Sequence, residues 1–423
     1  MNHPQTQEIK FADLPLHEKL HKALDFIGFT RCTPIQAETL PLMLAGKDAA
    51  GQAQTGTGKT AAYLLATYQH LLQHSGADEE GTSLRALIIS PTRELAIQIY
   101  NDACELNKYT GFRLGLVYGG VDYEKQRKML QDGVDILIGT PGRLIDYYKQ
   151  KVYNLAKLKI MVLDEADRMF DLGFIRDVRY LLRRMPKPDQ RQSLLFSATL
   201  SWRVIELAYE HMNNPTLIKI NPEQITAENI KQVGYHVSSE EKIPLLLGLL
   251  KHIDPSRTIV FVNTKRTAET LWGYLESNGY HSAILSGDVP QRKRQKLFRE
   301  FSEGELPILV ATDLASRGLH IPDISHVFNY DLPQNAEDYV HRIGRTARAG
   351  ASGDAVSLIC EEYVYSLHEI EEYIGHKIST EGVTAEMLIS PAAPVSIKKK
   401  TGSRHRNKNH SRKSSGRKHH SRR

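Results

Sequence analysis

Two clusters in this chain have the residue types and spacing for phosphate chemistry. Ala53-Gln54-Thr55-Gly56-Thr57-Gly58-Lys59-Thr60 follows a short run, Asp48–Gln52, and opens a helical stretch, Ala61–Leu72. Glycines at this spacing let backbone N–H groups turn inward around phosphate oxygens, and a helix N-terminus adds the positive end of its dipole. Lys59 has the reach for the β- and γ-phosphates of a nucleotide, and the Thr60 hydroxyl suits Mg²⁺. The strict pattern has glycine at the first position, where this chain has Ala53. The second cluster, Asp164-Glu165-Ala166-Asp167, ends the apolar run Ile160–Leu163. Acids at the C-terminal end of a strand fall beside phosphates held at the same sheet edge. There Asp164 can hold Mg²⁺ and Glu165 can orient and deprotonate a water. Three acids in four residues more often mark a solvated helix start. The phosphate loop upstream favours hydrolysis.

Two further segments share a design. Ala86–Ile89 ends in Ser90-Pro91-Thr92-Arg93, and Ile136–Ile138 ends in Thr140-Pro141-Gly142-Arg143. Each reads as a helix start, with Ser or Thr as N-cap, Pro at the first helical position and Arg in the first turn. The helix dipole prefers an acid there. A bound anion removes the conflict, so the two ends suit successive phosphates of one strand. Ordinary helix capping explains the same residues equally well. Gly119-Gly120 allows a close backbone approach. Further on, His341-Arg342-Ile343-Gly344-Arg345-Thr346-Ala347-Arg348 is a dense basic cluster. On a helix its members at spacings of three and four share a face. Guanidinium groups delivered to a γ-phosphate from another domain act as arginine fingers.

The elements that must position these residues are short apolar runs separated by helical patterns. Ala86–Ile89, Leu114–Tyr118, Ile136–Ile138, Ile160–Leu163 and Leu194–Ser197 form one set. Thr258–Val262, Ser282–Leu285, Ile308–Ala311, His326–Asn329 and Asp354–Ile359 form a second. Apolar strands alternating with amphipathic helices predict an α/β chain with parallel sheets and helices on both faces, in two halves of similar size. The predicted domains are 1–216 and 229–378, joined by a connection at 217–228, with a basic, disordered tail at 379–423. The 423 residues, 41% hydrophobic and 25% charged, fit two globular domains plus a tail. The net charge of +6 is asymmetric: residues 398–423 hold twelve Lys or Arg and no acid, so the rest is net acidic. That excludes a body that coats nucleic acid all over and leaves a narrow phosphate track plus a cationic arm. The arm suits RNA, an acidic protein or a membrane surface alike. No apolar run reaches the length of a transmembrane helix, and Met1–Lys10 has no apolar core of a secretory signal. Three widely spaced cysteines and 18 histidines form no metal-ligand pattern, which predicts reduced, mostly buried thiols and no zinc.

On these residues the chain resembles the DEAD-box RNA helicases over roughly residues 11 to 375. Gly28–Gln36, Ala53–Thr60, Pro91–Ala96, Gly119-Gly120, Thr140–Arg143, Asp164–Asp167, Ser197–Thr199, Ile259–Thr264, Gln291–Arg294, Ala311–Ile321 and His341–Gly350 stand in the family's order. The resemblance implies two RecA-like domains. It makes the substrate ATP, with Mg²⁺, and adds Phe11, Arg31 and Gln36 at the base and Asp313 at the ribose. It makes Ser197 and Thr199 the coupling residues between hydrolysis and strand separation. It assigns RNA contacts to Pro91, Thr92, Arg93, Gly119, Gly120, Thr140, Gly142, Arg143, Arg294, Thr312 and Arg317, and finger roles to Arg342 and Arg345. Within the family, Asp167–Phe174, Gly318–Pro322, Phe328–Pro333 and Tyr373–His376 look like a bacterial branch associated with the RNA degradosome. His320 stands where most of the wider family has Asp. That likeness implies single-stranded and duplex RNA as substrates, an RNase E-type endoribonuclease as partner, and a cytoplasmic location. Two other readings stay open. One is an RNA-binding scaffold that hydrolyses ATP poorly without a partner. The other is a DNA helicase or another phosphate-loop ATPase.

Overall fold

The structure, a computed structural model, describes residues 9–53, 56–74, 84–220, 230–253, 255–316, 324–346 and 353–396. Its first sheet contains β1 (Ala49–Gln52), β2 (Ala86–Ile89), β3 (Leu114–Val117), β4 (Ile136–Gly139), β5 (Ile160–Leu163), β6 (Gln192–Ser197) and β7 (Thr216–Lys219). The second contains β8 (Ile230–His236), β9 (Thr258–Phe261), β10 (Ser282–Leu285), β11 (Ile308–Ala311), β12 (His326–Asn329), β13 (Gly353–Ile359) and β14 (Ser379–Glu381). All the strand pairs are parallel.

The orders are β3-β4-β2-β5-β6-β1-β7 and β10-β11-β9-β12-β13-β8-β14. Counted from the first strand of each sheet, these are one topology used twice. Parallel strands need helical crossovers, which cover both faces. Hence β2, β4 and β5 are buried throughout and read as continuous apolar runs. Alternate residues serve opposite cores: Ile88, Ile138 and Val162 on one face, Leu87, Leu137 and Met161 on the other.

Two expected boundaries shift for the same reason. Leu217–Lys219, expected in the connection, belongs to β7, which pairs with β1. Residues 221–229 lie outside the described residues. Ser379–Glu381, expected in the disordered tail, forms β14, which pairs with β8. Both are edge strands: β14 is exposed throughout, and β7 buries only Ile218. The chain after β14 also packs on the second domain. Val383, Met387, Leu388 and Ile389 join the core beneath helix Lys242–His252. The Ile389 amide donates to the Pro244 carbonyl at 3.2 Å, and the Val395 amide to the Gly273 carbonyl at 3.0 Å. Gly248 and Gly273 give this strap its room: a Cβ on Gly248 would collide with the Met387 carbonyl, and one on Gly273 would lie 2.5 Å from that of Val395. Residues 397–423 lie outside the described residues. The cysteines are unpaired as expected, but only Cys360 is buried, with Cys32 half-buried and Cys104 exposed.

Candidate active site

Helix Lys59–Gln73 begins where the phosphate loop ends, with Gly56 and Gly58 at φ +85° and +89°. Only glycine adopts such angles without strain. The loop is held from outside. The Thr33 hydroxyl donates to the Thr57 carbonyl at 2.7 Å, and the Gln36 amide donates to the Gly58 carbonyl at 3.0 Å. Gln36 also accepts from the Thr33 amide at 2.8 Å, closing a capping box on helix Pro34–Leu44. A side-chain amide has two donors and two lone pairs, so Gln36 keeps capacity for an adenine edge. Phe11 is buried and stacks on Phe29 at 5.9 Å. Arg31 pairs with Lys10 in a short antiparallel bridge beside them. The Lys59 ammonium donates to the Ala53 carbonyl at 2.5 Å, and the Ala53 amide donates to the Ser197 carbonyl at 3.0 Å. The residue departing from the strict motif is thus anchored through its backbone. Gln54 and Thr55 lie outside the described residues.

The acids lie directly beneath. Asp164 and Glu165 are 3% and 7% exposed. Burial raises Asp164 above the usual carboxylate range, against the pull of Lys59. Burial and the Asp164 charge push Glu165 up to about 7, while Lys59 and Arg345 pull it down. Glu165 sits at φ +49°, a left-handed conformation costly for a residue with a Cβ. Strain of this kind clusters where a side chain must be aimed. Tyr63, which motif reading missed, donates from its hydroxyl to Asp164 Oδ2 at 2.9 Å. The Thr60 hydroxyl adjoins that phenol. Tyr63 follows Lys59 by four residues, so helical spacing alone places it on the same face. Asp167 links the acids to β6: its amide donates to Ser197 Oγ at 3.1 Å, and its Oδ2 accepts from the Thr199 amide at 3.2 Å.

The second domain brings two expected fingers to different places. Arg345 is 3% exposed, and its field reaches Glu165. Arg342, 1% exposed, is committed within its own domain. Its guanidinium makes a two-point pair with Asp313 at 2.6 and 2.7 Å and donates to Asn263 Oδ1 at 2.8 Å. Helix Ala336–Ile343 stops before Arg345, so the predicted common helical face of the two arginines does not form. Asp313, expected at the ribose, spends one lone pair of each oxygen on Arg342. Arg317 and Arg348 lie outside the described residues.

Along the first sheet edge, Thr140 caps helix Pro141–Lys149 with Pro141 at the first position, as expected. The other segment differs. Helix Arg93–Leu106 starts two residues later than expected, with Thr92 as N-cap accepting from the Leu95 amide at 3.3 Å. Ser90 and Pro91 finish the strand connection. Arg93 then folds over the glycine pair: a Cβ on Gly119 would lie 3.2 Å from its Nη2, and one on Gly120, at φ +84°, would collide with Nη1. The close approach inferred for these glycines is thus made by a guanidinium. Arg143 lies over the rings of Tyr123 and Tyr147 at 4.9 and 5.5 Å, while Gly142 faces open space. Thr312 directly follows β11, its amide donating to the Leu285 carbonyl at 3.3 Å. Arg294 crosses between the domains to Glu94 Oε1 at 3.1 Å and donates to the Ala315 carbonyl at 2.9 Å. The quoted helix-start motif contained Glu94, but motif reading gave it no role. An acid in a first helical turn is common enough to hide a second purpose.

Comparison with known proteins agrees with this geometry. Residues 33–208 match the DEAD/DEAH box helicase family and residues 241–350 the helicase conserved C-terminal domain. The chain is 55% identical to the ATP-dependent RNA helicase RhlB of Pasteurella multocida, over 94% of each chain. It is 56% identical to that of Escherichia coli O1:K1 / APEC, over 92% of this chain and 93% of the relative. The fold matches S. cerevisiae Dbp5 bound to RNA and ADP BeF3 with a TM-score of 0.78 and 33% identity, covering 88% of this chain and 95% of that one.

Proposed function

This chain belongs to the DEAD/DEAH box helicases, and we propose that it is an ATP-dependent RNA helicase that opens short RNA duplexes locally during RNA degradation. What supports this reading is a buried acid, Glu165, that feels charges of both domains. Glu165 lies beside Lys59 and Asp164 of the first domain and within the field of Arg345 of the second. ATP binds the first domain, where the loop amides and Lys59 take the phosphates and Gln36 reads the base. Thr60 and Asp164 are the residues that would hold Mg²⁺. The buried Asp164 carboxylate, which a nearby cation would favour, fits that role, and the ion would supply charge neutralisation at the phosphate oxygens. Arg93 and Arg143 take successive phosphates of one strand, which gives binding without strong sequence choice. Closure brings Arg345 toward the γ-phosphate and Arg294 to Glu94. Glu165 accepts the proton of the attacking water. The links from Asp167 to Ser197 and Thr199 carry the change to β6.

The similarity to RhlB proteins supports a degradosome setting with an RNase E-type endoribonuclease as partner. No helix among the described residues is long and apolar enough to cross a membrane, in keeping with a cytoplasmic location. The test is displacement of a short RNA duplex bearing a single-stranded overhang. ATP-dependent release of one strand is expected, with no release in the Lys59→Ala variant. Release of an equivalent DNA duplex at the same rate would defeat the RNA assignment.

A further inference from the structure

We infer that Lys242 is a positioning residue for hydrolysis: by neutralising Asp331 it leaves the Arg342 guanidinium to Asp313, and so fixes the segment that carries Arg345. This rests on Arg345 being the group delivered to the γ-phosphate. Lys242 opens helix Lys242–His252 and belongs to none of the recognised motifs. Its ammonium lies 2.6 Å from Asp331 Oδ1, with the two side chains 4% and 3% exposed. The rings of Tyr330 and Tyr363 enclose it at 4.1 and 5.6 Å.

Asp331 sits where three strand ends meet. Its Oδ2 accepts from the Asn263 amide, after β9, at 2.9 Å. Its carbonyl accepts from Arg342 Nη1 at 2.5 Å. Asn263 Oδ1 takes Nη2 of the same guanidinium, while Asp313, after β11, takes Nε and Nη2. The arginine therefore lies on the backbone of the residue whose carboxylate Lys242 holds. Two cations and two carboxylates balance there; Lys242, Asp331 and Arg342 are buried, and Asp313 is half-buried.

Removing one member leaves a buried charge without a partner, which low-dielectric surroundings do not tolerate. Without Lys242, the cation already in contact with Asp331 is Arg342, through the Asp331 carbonyl, and Arg342 serves Asp313. One guanidinium cannot satisfy both carboxylates without moving. Movement passes to Arg345, whose amide donates to the Arg342 carbonyl at 3.1 Å and whose Nε donates to the His341 carbonyl at 3.1 Å. Lys242 touches neither nucleotide nor RNA in this scheme. It sets which acid owns Arg342.

The test is single-turnover ATP hydrolysis by the full chain with saturating poly(U), alongside thermal melting. Lys242→Met is expected to lower the hydrolysis rate at least tenfold. The ATP concentration at half-maximal rate should stay within twofold, because ATP first binds the other domain. Lys242→Met with Asp331→Asn should return the rate to within threefold of wild type, since no unpaired carboxylate remains. In an Arg345→Ala background Lys242→Met should cost no more than a further twofold. A wild-type rate in Lys242→Met would overturn the inference, as would a folded double variant as slow as the single one. Full additivity with Arg345→Ala would show that Lys242 acts by another route. If Arg345→Ala alone hydrolyses ATP normally, the finger reading falls on its own. Should Lys242→Met fail to fold, the charge-neutral double variant carries the test, and a folded but slow double variant refutes it.

Discussion

Glu94→Gln removes the ion pair between the domains without touching the nucleotide site. Glu94 and Arg294 approach to 3.1 Å with 13% and 14% of their side chains exposed. At an effective dielectric constant of about 20, that separation gives about 5 kcal/mol of Coulomb attraction. Desolvation of both groups offsets most of it and leaves about 1–2 kcal/mol net. The pair exists only when the domains meet, so the whole amount belongs to closure. Closure is what lets ATP and RNA raise each other's affinity. A loss of 1–2 kcal/mol therefore lowers that coupling about 5- to 30-fold. The assay is single-stranded RNA binding with and without a non-hydrolysable ATP analogue. Glu94→Gln is expected to weaken the analogue-dependent tightening by that factor and to leave ATP-analogue affinity without RNA unchanged. Arg294→Met should add little once Glu94 is gone. Glu94 also stands next to Arg93 on the RNA track, where a carboxylate would repel phosphate. If that repulsion were its main effect, Glu94→Gln would tighten RNA binding, and tighter or unchanged coupled binding refutes the latch.

Four other outcomes follow from the same geometry. Glu165, raised from 4.5 to about 7 by burial and Asp164, is a liability to the ligand-free fold when charged. Glu165→Gln should stabilise the ligand-free protein by about 3 kcal/mol above pH 7, and the gain should vanish as pH falls toward 4.5, as pH-dependent denaturant unfolding would show. Gly120→Ala places a side chain at φ +84° against Arg93, so RNA affinity should fall about tenfold or more with ATP affinity intact, read by titration. Tyr63→Phe strips Asp164 of a buried donor and should destabilise the fold by about 1–3 kcal/mol in chemical denaturation. Truncation after Ile378 removes β14 and the strap and should lower the melting temperature by several degrees.

Much of this was legible in the sequence because the central strands are buried on both faces. Ile160–Leu163 and Ala86–Ile89 appear as uninterrupted apolar runs, and the first leads directly into Asp164. The seventh strand of each sheet was not legible, nor was β8, whose apolar and polar residues are mixed. β7 and β14 lie at an edge, bury little and carry no pattern, so one element was assigned to a linker and its counterpart to a tail. The shared strand order shows that these are the same omission. At the site, motif spacing singled out Lys59, Asp164, Glu165, Ser197 and Thr199, which the structure brings near one another, but not their partners. Arg342 and Arg345 are both cationic and three apart, and sequence treats them alike. Only the position of Asp313 and Asn263 separates an arginine whose guanidinium is taken up within its domain from one whose charge reaches Glu165. Tyr63 and Lys242 escaped because neither is unusual for a helix. Their importance comes from the carboxylate each one meets.

We propose that one ATP site is completed by residues of both domains. Single-turnover ATP hydrolysis, with and without single-stranded RNA, tests it most directly in wild type, Glu165→Gln and Arg345→Ala. Completion of the site on closure predicts RNA stimulation in the wild type. It predicts loss of that stimulation in both variants, although they lie in different domains. Undiminished RNA-stimulated hydrolysis in Arg345→Ala would contradict it, leaving the first domain as the whole catalyst.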